Sequence, residues 1–92
     1  MNVKVSYFGH LREVAGVKEE EFEVDERCVV GDLLEEVGET RGIAREIFGE
    51  DPSPEMPINV LVNGRNIRYL KGLDTPLSDG SRVALFPPTG GG

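Results

Sequence analysis

Cysteine is nearly absent from this chain: Cys28 is the only one in 92 residues. A single thiol excludes an internal disulfide framework and a cysteine-based metal site. Basic residues are also scarce. Ten Lys and Arg stand against 17 Asp and Glu, for a formal charge of −7. A phosphate backbone calls for clustered cations, so nucleic acid is not an expected partner. The acidity favours a basic protein partner and serves solubility equally well. No apolar run approaches the roughly 20 residues of a membrane span, and no N-terminal stretch has the apolar segment of a signal peptide. The expectation is a cytoplasmic protein without a membrane partner. Internal repeats, a catalytic triad, metal-ligand spacing and a phosphate loop are all missing.

At this length there is one domain, which buries only about 60–65% of the unfolded chain's surface and leaves little interior for a cofactor cavity. A hydrophobic content of 38% beside 29% charged residues is that of a folded globule, not a disordered segment. Residues 3–8 alternate, with Val3, Val5 and Tyr7 on one face and Lys4, Ser6 and Phe8 on the other, as a half-buried strand does. Gly9 ends it, and residues 10–16 cross to a second strand over 18–24, where Phe22 and Val24 share a face. From Val30 to about Thr40 the period changes. Val30, Leu33, Leu34 and Val37 recur at helical spacing opposite Asp32, Glu35, Glu36 and Glu39. Gly31 and Gly38 each weaken this helix by roughly 1 kcal/mol relative to Ala, so packing must hold it.

A shorter helical piece over 43–48 and a proline-rich loop over 49–57 follow. Ile58–Val62 reads as a strand, Asn63-Gly64 as a hairpin turn, and residues 66–70 as the return strand. Residues 75–80 read as a tight turn, and Arg82–Phe86 as the last strand, halted by Pro87-Pro88. The order β-β-α-β-β-β, with one main helix, predicts an α+β fold in which a mixed sheet packs on that helix.

The chain ends Pro87-Pro88-Thr89-Gly90-Gly91-Gly92. The prolines hold the exit extended, and the last four residues reach about 13 Å beyond Pro88. Three glycines have no side chain to obstruct a narrow channel. Chemistry on the Gly92 carboxylate needs such an end. The carboxylate must reach an ATP α-phosphate inside another protein, become an acyl-adenylate and meet a sulfur nucleophile. A frayed glycine-rich terminus is the plain alternative.

Several segments together resemble the small subunit of molybdopterin synthase and its sulfur-carrier relatives, the MoaD/ThiS family. They are Val5-Ser-Tyr-Phe-Gly9 with Leu11-Arg12-Glu13-Val14-Ala15-Gly16, then Val30-Gly31-Asp32-Leu33-Leu34, Val62-Asn63-Gly64, Pro76-Leu77-Ser78-Asp79-Gly80, and Val83 through Gly92. The resemblance implies a β-grasp (ubiquitin-like) domain over residues 1–88 with first and last strands side by side, and a flexible glycine tail over 89–92. It implies that Gly92, preceded by Gly90 and Gly91, is adenylated and thiocarboxylated to donate sulfur in molybdopterin synthesis. The implied partners are an adenylating enzyme related to the ubiquitin-activating enzymes and the large subunit of molybdopterin synthase. ATP is used by the former, and no cofactor is bound by this chain.

Two departures bear on this. The family commonly ends in two glycines after a small apolar residue, whereas here three follow Thr89, which leaves open trimming to Gly91. The loop over 41–57 is long for a thiamin-type carrier and disfavours that branch. A protein modifier that forms isopeptide bonds through Gly92, and a ubiquitin-like binding module with an inert tail, stay open. A ferredoxin use of the fold is excluded by the cysteine count.

The alternation also places Phe8, Leu61 and Phe86 on the solvent side of the sheet, as a candidate partner-binding patch. Phe8 and Phe86 match aromatic interface positions of the synthase family, and Leu61 matches more loosely. Scattered surface hydrophobes are the alternative. Cys28 reads as a small buried residue, His10 as a loop residue without a partner, Arg12 and Glu13 as a surface ion pair, and the acidic stretch 19–23 as a solvated strand face.

Overall fold

The computed structural model describes residues 1–49 and 56–88. Five strands form one mixed sheet: β1 (Asn2–Tyr7), β2 (Glu19–Glu23), β3 (Asn59–Val62), β4 (Arg65–Asn66) and β5 (Arg82–Phe86), in the order β2-β1-β5-β3-β4. β1 and β5 run parallel at the centre, and every other pairing is antiparallel. The chain's two ends are thus joined through the middle of the sheet, as the β-grasp arrangement requires. The proline-rich loop lies mostly outside the described residues.

The main helix, α2 (Val30–Arg41), lays Val30, Leu33, Leu34 and Val37 on the sheet, all fully buried. They meet Val3, Val5, Tyr7, Val60, Val83 and Leu85, the inward residues of three strands. At its start the Asp32 carboxylate accepts from the Val29 N–H at 3.3 Å, which satisfies one donor near the positive end of the helix dipole. At its end Gly42 is left-handed (φ 67°), and the Ile43 N–H closes back on the Gly38 carbonyl at 3.0 Å, a Schellman stop. A second short helix, α3 (Ala44–Phe48), buries Ile47.

The two glycines that weaken α2 have a packing reason. A Cβ on Gly31 would stand 3.2 Å from the Leu73 carbonyl oxygen, and one on Gly38 would stand 3.2 Å from Cα of Ala44. Both positions let backbone approach the helix more closely than alanine allows.

The structure corrects the sequence reading in several places. Residues 10–15 are not a bare crossing but a helix, α1 (His10–Ala15), which buries Leu11 and Ala15 and stops at the left-handed Gly16. The return strand predicted over 66–70 ends after two residues. The Asn66 side chain accepts from the Arg68 N–H at 2.9 Å and starts a 3₁₀ turn over Ile67–Tyr69, followed by another over Gly72–Asp74. The tight turn expected over 75–80 is confined to Ser78–Ser81. Residues 75–77 run against 28–30, with the Val30 N–H on the Thr75 carbonyl and the Leu77 N–H on the Cys28 carbonyl.

The acidic strand β2 is not uniformly solvated. Glu20 stands opposite Val5, on the helix side of the sheet. Its carboxylate accepts from Nε and Nη2 of Arg41, each at 2.6 Å, and from the Tyr7 hydroxyl at 2.7 Å. Tyr7 is fully buried, and the side chains of Glu20 and Arg41 are only 17% and 29% exposed, so one contact cluster ties β1, β2 and the end of α2 together. The Arg41 hydrogen bonds hold the Glu20 carboxyl below the usual carboxylate range against the opposing effect of burial, with the Tyr7 hydroxyl assisting. Burial, then the Glu20 hydrogen bond, raises the Tyr7 hydroxyl far above its ordinary value.

Two outcomes are expected. Gly38→Ala should lower thermal stability by about 1 kcal/mol, because overpacking against a backbone outweighs the propensity gained; a higher melting temperature would contradict this account of Gly38. A carboxyl lowered by folding stabilises above its unfolded pKa, and that contribution is lost as pH falls through the folded value. Glu20→Gln should therefore melt below wild type at pH 7, and the gap should close as pH falls below the usual carboxylate range. Melts followed by circular dichroism test this, and a pH-independent gap would refute it.

Candidate functional site

Because β1 and β5 are parallel, their C-terminal ends leave the sheet at one edge. Tyr7 pairs with Leu85, and the Phe8 N–H extends the ladder onto the Leu85 carbonyl at 3.1 Å. One residue further, the turn into α1 and the exit of β5 touch. A Cβ on Gly9 would lie 3.0 Å from Cγ of Pro87, and Gly9 has φ 55°. Only glycine suits both the left-handed backbone and that contact. Pro87 is half-buried, and Pro88 is the last described residue. The residue that follows β5 is therefore packed against the β1–α1 turn. Beside it runs an open groove of about 480 Å³, lined by His10, Leu11, Arg45, Ile58, Pro87 and Pro88 among others.

The outer face of the sheet at the same edge carries the aromatic pair. The rings of Phe8 and Phe86 stack with centroids 4.4 Å apart and planes 10° from parallel. Each half covers the other, which is why both are half-buried where the alternation alone suggested full exposure. Leu61 shares this face and is also half-buried, but its register partner is Ala84, and Asn59 is the residue opposite Phe86. The structure thus brings Phe8 and Phe86 into contact and places Leu61 one strand away. The large hydrophobics that are truly exposed among the described residues are Tyr69, Leu70 and Leu73, which the strand reading of 66–70 did not single out.

Arg12 does not pair with Glu13. Its Nε–H donates to the Tyr7 carbonyl at 3.1 Å, and its guanidinium carbon lies 5.8 Å from the Phe8 ring centroid. Glu13 is instead near His10, at 3.4 Å from Nδ1, so His10 is a helix residue with a partner. The sequence signal for Arg12 was its place four residues after Phe8, but it acquires meaning only once Gly9 turns the chain. Cys28 is buried, donates its thiol toward the Val29 carbonyl, and has its thiol pKa raised, first by burial and then by Asp32 and Glu36. That is the packing role expected of it, not a nucleophile's.

Gly90, Gly91 and Gly92 lie outside the described residues. Among those described, no group of three or more His, Cys, Asp or Glu is placed to hold a metal ion, and no helix is long and apolar enough to cross a membrane. What the described residues form is an aromatic face with the Gly9–Pro87 contact beside it.

Comparison with known proteins agrees with this arrangement. The family model described as "ThiS family" matches residues 5–92. Small archaeal modifier protein 3 of Haloferax volcanii is 39% identical over 93 residues, with both chains covered in full. The molybdopterin synthase sulfur carrier subunit of Chlamydomonas reinhardtii is 34% identical over 93 residues, again with full coverage of both. The crystal structure of SAMP1 from Haloferax volcanii superposes with a TM-score of 0.82 at 34% identity, covering 100% of each chain. With the sheet order, the parallel central pair and a family match running to the last residue, the chain belongs to the ThiS family of ubiquitin-like sulfur carriers.

Proposed function

We propose that this protein carries sulfur as a thiocarboxylate on Gly92 and delivers it in molybdopterin synthesis, as the small subunit of a molybdopterin synthase. The observation that carries this reading is the shared edge at which the Phe8–Phe86 stack and the pinned Pro87 exit lie side by side. A partner docked on the stack receives the following residues as an extended strand of glycines. The full-length relation to the Chlamydomonas sulfur carrier subunit favours this pathway.

The chemistry divides between chains. The Gly92 carboxylate oxygen attacks the α-phosphate of ATP in the adenylating enzyme, and pyrophosphate leaves. A sulfur nucleophile supplied by a donor attacks the acyl carbon, and AMP departs as the leaving group. Where that donor is a persulfide, the product is an acyl disulfide; a thiol then attacks the donor's own sulfur, the S–S bond breaks, a disulfide forms on the donor, and the electron pair stays with the thiocarboxylate at the chain end. The large synthase subunit then takes the tail and uses the sulfur, and the carboxylate returns for another cycle. Nothing in this sequence asks a side chain of the domain to act as acid, base or ligand. The domain contributes docking, reach and an end narrow enough to enter two different sites. Phe8, Leu61 and Phe86 supply the docking face, and both partners use it, so they bind alternately.

A second reading has its own support. The relation to small archaeal modifier protein 3 favours a role in which the same adenylate is passed to a lysine amine of a target, giving an isopeptide bond through Gly92. Both roles share activation and diverge at the nucleophile.

Incubation with the adenylating enzyme of the same cell, ATP and a sulfur donor, followed by intact-mass measurement, tests the proposal. Exchange of one terminal oxygen for sulfur supports the carrier, target adducts support the modifier, and a persistently free carboxylate contradicts both. Removal of Gly91 and Gly92 should abolish either product without moving the melting temperature; undiminished sulfur transfer by the truncated chain would be decisive against the role of the terminus. Phe86→Glu should weaken binding to both partners by about 100-fold while the domain stays folded. Wild-type affinity in that variant would remove the aromatic face from the account.

A further inference from the structure

We propose that Arg12 is a pre-ordered carboxylate anchor on the docking face, taking an Asp or Glu side chain of the partner protein beside the Phe8–Phe86 stack. The inference rests on the reading of that face as the partner-binding surface and adds the charge that partners must present to it.

Three observations converge on Arg12. Its Nε–H is committed to the Tyr7 carbonyl at 3.1 Å, which fixes the side chain along the start of α1. Its guanidinium stands 5.8 Å from the Phe8 ring centroid, and Phe8 is in turn stacked on Phe86 at 4.4 Å. The residue is exposed, and it makes no ion pair among the described residues, because the neighbouring Glu13 lies with His10. With Nε used internally, the two terminal nitrogens remain as a planar fork, the arrangement that matches a carboxylate with two parallel hydrogen bonds.

What sets this cation apart is its place over the aromatic pair. The protein has a net charge of −7, and the cations nearest the middle of the sheet face carboxylates: Arg41 is held by Glu20, and Lys4 lies 3.4 Å from Glu19. Arg12 is left unneutralised at the aromatic face, within one helical turn of the Gly9–Pro87 contact that fixes the exit. A cation held over an aromatic ring loses little side-chain freedom on binding, so more of its contact energy appears as affinity. Arginine beside buried aromatics is also the composition of interface hot spots. The matching surface on the partner is an apolar recess with one carboxylate at its margin. A two-pronged contact there fixes rotation about the aromatic anchor and therefore the direction in which the tail enters.

The test measures binding of the full chain to its adenylating enzyme and to the large synthase subunit, by calorimetry at low and high salt. Arg12→Gln should weaken binding about 10- to 100-fold and flatten its salt dependence, with the melting temperature as a check on folding. Arg12→Lys keeps the charge but loses the fork and should fall between the two; it also carries the test if Arg12→Gln does not fold. Unchanged affinity in both Arg12 variants, with binding still lost in Phe86→Glu, overturns the anchor and leaves the aromatic face standing. Unchanged affinity in Phe86→Glu as well brings down the docking reading itself. A loss in Arg12→Gln with the wild-type salt dependence retained also overturns an ionic contact. If the Arg12 effect disappears in the chain lacking Gly91 and Gly92, the carboxylate bound is this protein's own terminus, and the proposal fails.

Discussion

Parallel pairing of β1 with β5 is the constraint on which the rest of the molecule depends. The two strands are separated by almost the whole chain, yet they lie side by side at the centre of the sheet, with Val5 opposite Val83 and Tyr7 opposite Leu85. Their inward residues form the floor on which α2 rests. Being parallel, they also finish together. Phe8 and Phe86 meet for that reason, and so do Gly9 and Pro87. An antiparallel arrangement of the same two strands would send the chain's exit to the opposite edge, away from the aromatic pair.

Around this centre, glycine recurs where two pieces of backbone or a ring must come close. Gly38 admits Ala44, Gly31 admits the Leu73 carbonyl, and Gly9 admits Pro87. The first two cost the helix propensity that alanine would supply. The closure of α3 and the 65–74 segment onto α2 is what those positions give in return. The Tyr7–Glu20–Arg41 cluster does a related task toward the β2 edge of the sheet, where it ties that edge strand to the end of the helix through charged hydrogen bonds. Every buried side-chain nitrogen and oxygen among the described residues has a partner, so this polar cluster adds no unsatisfied group to a small core.

Such a domain separates rigidity from chemistry. The fold holds the aromatic face and Pro87 in one fixed relation, while the proposed reacting atom belongs to the residues that follow the last strand in the sequence. Under the docking proposed for the aromatic face, the acidic surface and Arg12 would bear on which proteins bind there.

Much was legible in the residues alone. Val30, Leu33, Leu34 and Val37 share a face by helical period, and the alternation in residues 3–8 and 82–86 sorts inward from outward side chains, because both signals follow from local geometry. The glycine end and the diproline before it are likewise plain in the sequence. Less legible were segments in which a local hydrogen bond competes with an alternating pattern. Asn66 captures the Arg68 N–H and turns a nominal strand into 3₁₀ structure, and Gly9 starts a helix where only a crossing was expected. Glu20 reads as one carboxylate among several until the register places it with Tyr7 and Arg41. Arg12 reads as half of a neighbouring ion pair until the turn at Gly9 carries it over Phe8. Periodicity assigns a residue to a face, whereas contacts between distant segments arise only when the chain closes through β1 and β5. For that reason the elements and the glycine end belonged to the sequence, and the company each charged side chain keeps belonged to the tertiary structure.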